Sequence, residues 1–133
     1  MFKLKIILSL VFAIVGYFLG IVAEATRDTG LAIYPASCLL KILFFLIAVP
    51  LAHSAGKNVR KKLNIIGIPG LRLVSWVMYG VGIIHFTLFF NWGLIAAGNS
   101  QLPDGQITID AVVLFIASML MIAEAWNSHK SKD

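Results

Sequence analysis

Long apolar runs separated by short polar stretches make up almost the whole chain. Crossing the roughly 30 Å of bilayer hydrocarbon takes about 20 predominantly apolar residues in a helix, and four of the runs are long enough. They cover residues 6–23, 31–52, 71–97 and 107–126. The pattern predicts an all-α integral membrane protein with four transmembrane helices, which form a single domain over residues 1–133.

The polar stretch at 53–70, between the second and third runs, predicts the orientation of the helices. It is rich in Lys and Arg, and such segments stay in the cytoplasm because moving cations across the bilayer during insertion is costly. Four spans then place both termini in the cytoplasm, and the terminal cations are on the same side: Lys3, Lys5, Lys130 and Lys132. Arg27 is the one cation in the outer loops. We therefore expect a multi-pass protein of the inner (plasma) membrane.

The first run also resembles a secretory signal peptide. Lys3 and Lys5 precede an apolar middle, and Ala23-Glu24-Ala25 follows with small residues around one polar residue. The apolar run is long for a signal peptide, so we expect an uncleaved first span. The short loop at 24–30 then makes the first two spans an antiparallel hairpin.

Composition excludes several classes of protein. Hydrophobic residues make up 59% of the chain, above the roughly 45–50% of soluble domains, so little of the chain is left for a soluble catalytic domain. The net charge of +5 is not accompanied by a folded basic module of the kind that binds nucleic acid. Cys38 is the sole cysteine, so the chain forms no internal disulfide.

Small residues recur at helical spacing along the first span: Ser9, Ala13, Gly16 and Gly20. Small side chains in line let two helix backbones approach closely, which is how helices pack where lipid competes for every apolar contact. We expect this face to pack against another helix. The spacing does not tell whether that helix belongs to the same chain or to a second copy.

Lys41 is the most informative single residue because a cation near the centre of a span is expensive. Counting inward from the outer surface puts His85 and Ser118 at about its depth, and Ser37 lies one turn away on the same face. These residues form an expected polar layer. Lys41 either lines a pathway, or it extends towards the interface or pairs with a neighbouring subunit.

Acidic residues on the fourth span follow a sevenfold spacing, with Asp110, Ala117 and Glu124 on one face. This spacing places one carboxylate near each interface and none at the centre. By this count no acid is level with Lys41, which favours a partner outside the chain.

Cofactor and enzyme signatures are missing from the sequence. His53 and His85 are the pair to consider for haem, but they differ in depth by roughly 20 Å at 1.5 Å per residue. No metal-ligand spacing, phosphate-binding glycine loop or nucleophile motif accompanies them. We expect no cofactor, no metal and no enzymatic activity.

The basic stretch carries the cations expected to contact a cytoplasmic partner: Lys57, Arg60, Lys61, Lys62 and Arg72. It forms either a short interfacial helix or a solvated loop. We expect a small membrane protein that oligomerises or joins a larger complex, and that docks a cytoplasmic protein or anionic lipid here. The alternatives are an oligomeric ion or proton channel lined by the polar layer, and a membrane sensor or effector paired with a soluble protein.

Overall fold

The computed structural model describes residues 2–26, 32–89 and 105–130, except the side chains of 86–89. All the regular secondary structure in those ranges is α-helical, and residues 64–68 connect two of the helices without it. The four helices are α1 (Phe2–Thr26), α2 (Ile33–Leu63), α3 (Pro69–Phe89) and α4 (Gln106–Lys130). The all-α class predicted from the sequence is confirmed.

Three of these helices are long and apolar enough to cross a membrane: α1, α2 and α4. They identify the chain as a membrane protein. Helix α3 is not among them, and residues 90–97, which the sequence assigns to the same span, lie outside the described residues. The four-span topology therefore stays a prediction.

The helices pack antiparallel along the chain. At the end that we call the inner end, Ile6 of α1 packs with Ala55 of α2 and Ala125 of α4. At the outer end, the buried cluster contains Ala23, Tyr34, Cys38 and Ile107. Helices α1, α2 and α4 pack mutually, whereas α3 packs on α4 and only slightly on α2. The bundle is thus a three-helix core with α3 on its side.

The small-residue face of α1 lies inside this core. Ser9, Ala13, Gly16 and Gly20 are all buried. A Cβ at Gly16 would lie 2.9 Å from the Phe45 ring of α2, and one at Gly20 would lie 2.6 Å from Cβ of Ala111 on α4. The neighbouring helices at this face are therefore α2 and α4 of the same chain.

Helix α2 continues well beyond the predicted span. It has 31 residues, or about 46 Å at 1.5 Å per residue, so it is longer than the hydrocarbon is thick. Its C-cap is Asn64, whose left-handed backbone (φ 56°) lets the Ile65 N–H donate to the Arg60 carbonyl at 2.9 Å. The basic segment predicted as a loop from 53 is thus helical as far as Leu63, and is neither a separate interfacial helix nor a loop. We call residues 54–63 the α2 extension.

Candidate functional site

Each of the four helices contributes one ionisable side chain to a group near the outer end. Glu24 comes from α1, Lys41 from α2, His85 from α3 and Asp110 from α4. We call these four residues the outer charged cluster. Lys41 is 2% exposed and Asp110 is 7% exposed, and the carboxylates of Glu24 and Asp110 interact electrostatically with the Lys41 ammonium. Burial of opposite charges together reduces the cost of placing each one away from water.

Both carboxylate oxygens of Asp110 make side-chain contacts. Its Oδ2 lies 2.8 Å from His85 Nδ1, and its Oδ1 accepts a hydrogen bond of 3.0 Å from Gln106 Nε2. The bond to His85 requires a proton on Nδ1, which either the neutral tautomer or the imidazolium provides. Glu24 Oε1 accepts a hydrogen bond from the Gly105 backbone N–H. Hydrogen bonds therefore connect α3 to α4 through His85 and Asp110, and α1 to the start of α4 through Glu24 and Gly105.

The structure brings together part of the polar layer expected from the sequence. Lys41 and His85 are connected through Asp110, and Ser37 is buried one turn from Lys41. Ser118 is not part of the cluster: its hydroxyl donates to the Leu114 carbonyl of its own helix at 2.9 Å. It also lies eight residues from Asp110, which is about 12 Å along α4.

The expectation that no acid is level with Lys41 is wrong. It failed because the apolar run ends at Ala23, which left Glu24 in a predicted loop, whereas α1 runs to Thr26. The expectation is wrong for Asp110 because it counts the depth of this residue in the membrane from the predicted end of the fourth span. The sequence signal that points to a buried acid here is the sevenfold spacing, since Asp110, Ala117 and Glu124 share one face and all three are buried.

A second charged group, the inner charged cluster, consists of Arg60, Arg72 and Glu124. Arg60 Nη1 lies 2.7 Å and 2.5 Å from the two carboxylate oxygens of Glu124. Arg72 Nε lies 3.4 Å from Glu124 Oε1, and Ser128 Oγ lies 3.3 Å from the same oxygen. Glu124 is fully buried and Arg60 is 6% exposed, so this pair is shielded from water.

Two glycines make room for the inner charged cluster. A Cβ at Gly56 would lie 3.0 Å from Ala125 of α4 and 2.7 Å from Arg60 Nη1. Gly67 has a φ of 80°, which favours glycine, and a Cβ there would overlap the Glu124 carboxylate. The close approach of α2 to α4 and the tight turn before α3 are therefore what let two arginines reach one buried acid.

The five cations expected to dock a partner divide into two groups. Lys57, Lys61 and Lys62 are exposed on the α2 extension. Arg60 is in the buried pair with Glu124, and Arg72 donates to the Ile66 carbonyl at 2.7 Å as well as facing Glu124. The sequence did not separate these roles, because a cation with an acid 64 residues away has the same local pattern as a solvated one.

An apolar core separates the two charged clusters. It contains buried residues of α1, α2 and α4: Ala13, Phe45, Ala48, Val49, Ala52, Leu114, Ala117 and Met121. Asp110 and Glu124 are 14 residues apart, or about 21 Å along α4. Among the described side chains, the buried charged groups are thus concentrated towards the two ends of the bundle.

The two histidines considered for haem are in different parts of the molecule. His53 lies near the inner end, where its ring contacts that of Trp76 with centroids 5.4 Å apart. His85 belongs to the outer charged cluster. The structure therefore does not bring them to a common site.

Comparison with known proteins adds no further information about the site. No protein-family model matches the sequence, and no curated protein or solved structure matches it. What the protein does must therefore follow from the chemistry of its own side chains.

Proposed function

We propose that this is a non-enzymatic inner-membrane protein with four spans and both termini in the cytoplasm, and that it docks an acidic partner through the α2 extension. The partner is either the anionic headgroups of the inner leaflet or an acidic protein surface. Membership of a larger membrane complex, or of an oligomer of this chain, fits the same role.

The observation that carries this proposal is the arrangement of cations on the α2 extension. Lys57, Lys61 and Lys62 are exposed, while Arg60 on the same segment is paired with buried Glu124 of α4. The pair attaches the extension to the bundle, so the three lysines are held on a helix and lose less conformational freedom on binding than they would on a loop. Each cation near an anionic leaflet contributes about 1 kcal/mol.

The topology is tested by thiol labelling. Cys38 is first replaced by Ala, and single cysteines are then introduced as Asn99→Cys and Ser131→Cys. A membrane-impermeant reagent added outside the cell should label the first variant and not the second, because the positive-inside rule places position 131 in the cytoplasm. Labelling of position 131 from outside would overturn the topology.

Docking is tested with a triple variant, Lys57→Gln with Lys61→Gln and Lys62→Gln. The matched control removes three cations from the termini instead: Lys3→Gln with Lys130→Gln and Lys132→Gln. After purification in mild detergent, the first variant should lose bound protein partners or anionic lipid and the control should retain them, with topology verified in both. If both variants retain the bound partners or lipid equally, the α2 extension only orients the protein in the membrane and does not dock a partner.

The outer charged cluster favours a second candidate function, a proton or ion pathway formed when several copies assemble. Its support is the convergence of ionisable side chains from all four helices, which is unusual within a membrane and commonly marks a proton or ion route. Proteoliposomes containing a pH-sensitive dye test it. Proton flux that is present in the wild type and abolished by His85→Gln or Lys41→Leu would support it, and absence of wild-type flux would contradict it.

A further inference from the structure

A cleft of about 450 Å³ lies between the α2 extension and the start of α3. Its walls include His53, Lys57, Arg60, Lys61, Ile66 and Arg72. Glu124 is the acid that contacts these cations in the described part of the chain, and it faces both arginines. Four cations with one carboxylate leave a strong positive excess, which is suited to an anion.

Three polar groups of the cleft are arranged along one line of α2. His53, Lys57 and Lys61 are spaced four residues apart, so they are stacked on one helix face. His53 is only partly exposed, and its Nδ1 is buried without a hydrogen-bond partner among the described residues. Both lysines are exposed at the opening. The line thus runs from a buried imidazole nitrogen to ammonium groups that are free to move towards a ligand.

An apolar wall accompanies these cations. Ile66 lines the cleft and is 75% exposed, and Ile68, two residues further along the chain and outside the lining, is 38% exposed. Such exposed isoleucines would be unfavourable in water, whereas lipid at the inner surface of the bilayer would cover them. A free phosphate ion would use the cations and leave the isoleucines uncovered.

We propose that this cleft binds the phosphate group of an anionic phospholipid of the inner leaflet, with the lysines and Arg72 on the phosphate and Ile66 against the lipid's apolar part. Basic pockets between transmembrane helices on the cytoplasmic side bind headgroups by the same chemistry. The inference rests on the proposed docking function and identifies its ligand.

Native mass spectrometry of the full chain in mild detergent tests the proposal. The probes are dioctanoyl phosphatidylglycerol, dioctanoyl phosphatidylcholine and inorganic phosphate. Phosphatidylglycerol should bind more tightly than the other two. Lys61→Gln should weaken its binding about fivefold, the equivalent of about 1 kcal/mol for one cation. Lys62→Gln, which removes the neighbouring charge outside the lining of the cleft, should weaken it clearly less, and Lys130→Gln should leave it unchanged.

A second variant tests the side of the cleft that α3 forms. Arg72→Gln should also weaken phosphatidylglycerol binding about fivefold, provided that the melting temperature in detergent shows a folded protein. Lys61 is exposed and makes no bond in the inner charged cluster, so its variant remains a valid test if Arg72→Gln does not fold.

The outcomes separate the cleft from the broader docking proposal. Equal losses for Lys61→Gln and Lys62→Gln would overturn the cleft and leave a diffuse basic surface. Binding of inorganic phosphate as tight as that of phosphatidylglycerol would overturn the lipid as ligand. The protein could also bind phosphatidylglycerol no more tightly than phosphatidylcholine while the triple lysine variant loses a protein partner. That result would support the docking proposal and contradict the proposal of a lipid-binding cleft.

Discussion

The outer and inner charged clusters solve the same problem, charge burial, in different ways. The inner charged cluster puts two arginines on one glutamate and joins α2, α3 and α4. The outer charged cluster combines one group from each of the four helices, with two carboxylates, one lysine and one histidine. The inner cluster therefore has an excess of positive charge, whereas the outer cluster places two carboxylates around a single lysine.

The two charged clusters also show how α3, the peripheral helix, is attached to the bundle. Among the described residues, α3 makes slight contact with α2 and none with α1, so its packing rests on α4. At each end it also reaches α4 by a charge, through Arg72 to Glu124 and through His85 to Asp110. Polar pairs are directional, so they fix the rotation and the height of α3 where apolar contacts alone would allow sliding.

The largest effect is expected at the inner charged cluster. Glu124→Gln removes the acid that faces Arg60 and Arg72, and an uncompensated buried charge costs about 3–5 kcal/mol. Unfolding in mixed detergent micelles measures the change. The double variant Arg60→Met with Glu124→Met should lose much less, since it leaves no unpaired partner of this pair. A loss under about 1 kcal/mol for Glu124→Gln would show that buried Arg60 and half-buried Arg72 do not need the acid.

The next effect tests the packing beside the outer charged cluster. Gly20→Ala places a Cβ 2.6 Å from that of Ala111, the neighbour of Asp110, so α1 and α4 must separate. Overpacking of this kind costs about 1–3 kcal/mol. Gly80→Ala is the matched control on α3, because no atom lies within 4 Å of its new Cβ. The native mass should not change, whereas a lower mass would indicate that this face joins two copies.

A smaller effect is expected for the pair that connects α3 to the outer charged cluster. The double-mutant cycle of His85→Gln and Asp110→Asn should give a coupling of roughly 0.6–1.7 kcal/mol, the range for polar pairs between helices in membranes. His85 is 27% exposed, so water limits the strength of this pair in comparison with that of Arg60 and Glu124. A coupling as large as that between Arg60 and Glu124 would contradict the expectation that the outer pair is the weaker of the two.

The smallest effect concerns an uncharged contact on α3. Ser75 is fully buried and its hydroxyl donates to the Ala117 carbonyl of α4 at 2.6 Å. Ser75→Ala should cost about 0.6 kcal/mol, the average for such bonds between membrane helices. Ser118→Ala, which removes a bond within one helix, should cost less. Equal losses at the two positions would mean that Ser75 does not hold α3 in place.

Much of the candidate site was visible in the sequence as separate residues, but their pairing was not. The unusual cation Lys41, the basic run and the sevenfold face of Asp110 and Glu124 are all apparent from spacing. The partners were assigned by counting depth from the ends of the apolar runs, and an error of one turn is enough to hide a pair. Glu24 shows this, because α1 extends three residues beyond its apolar run.

The sequence by itself determined that the chain is helical and belongs in a membrane, because hydrocarbon thickness sets the length of an apolar helix and excludes unpaired backbone groups. It also determined which face of α1 is small enough for close packing. Only the tertiary structure decided that α2 and α4 fill that face, and that Arg60 is buried on Glu124 while Lys61 beside it is exposed. The physical reason is that these choices depend on the rotation of each helix about its axis. Contacts between residues of different helices, 25 or more positions apart, fix that rotation, and no local pattern records it.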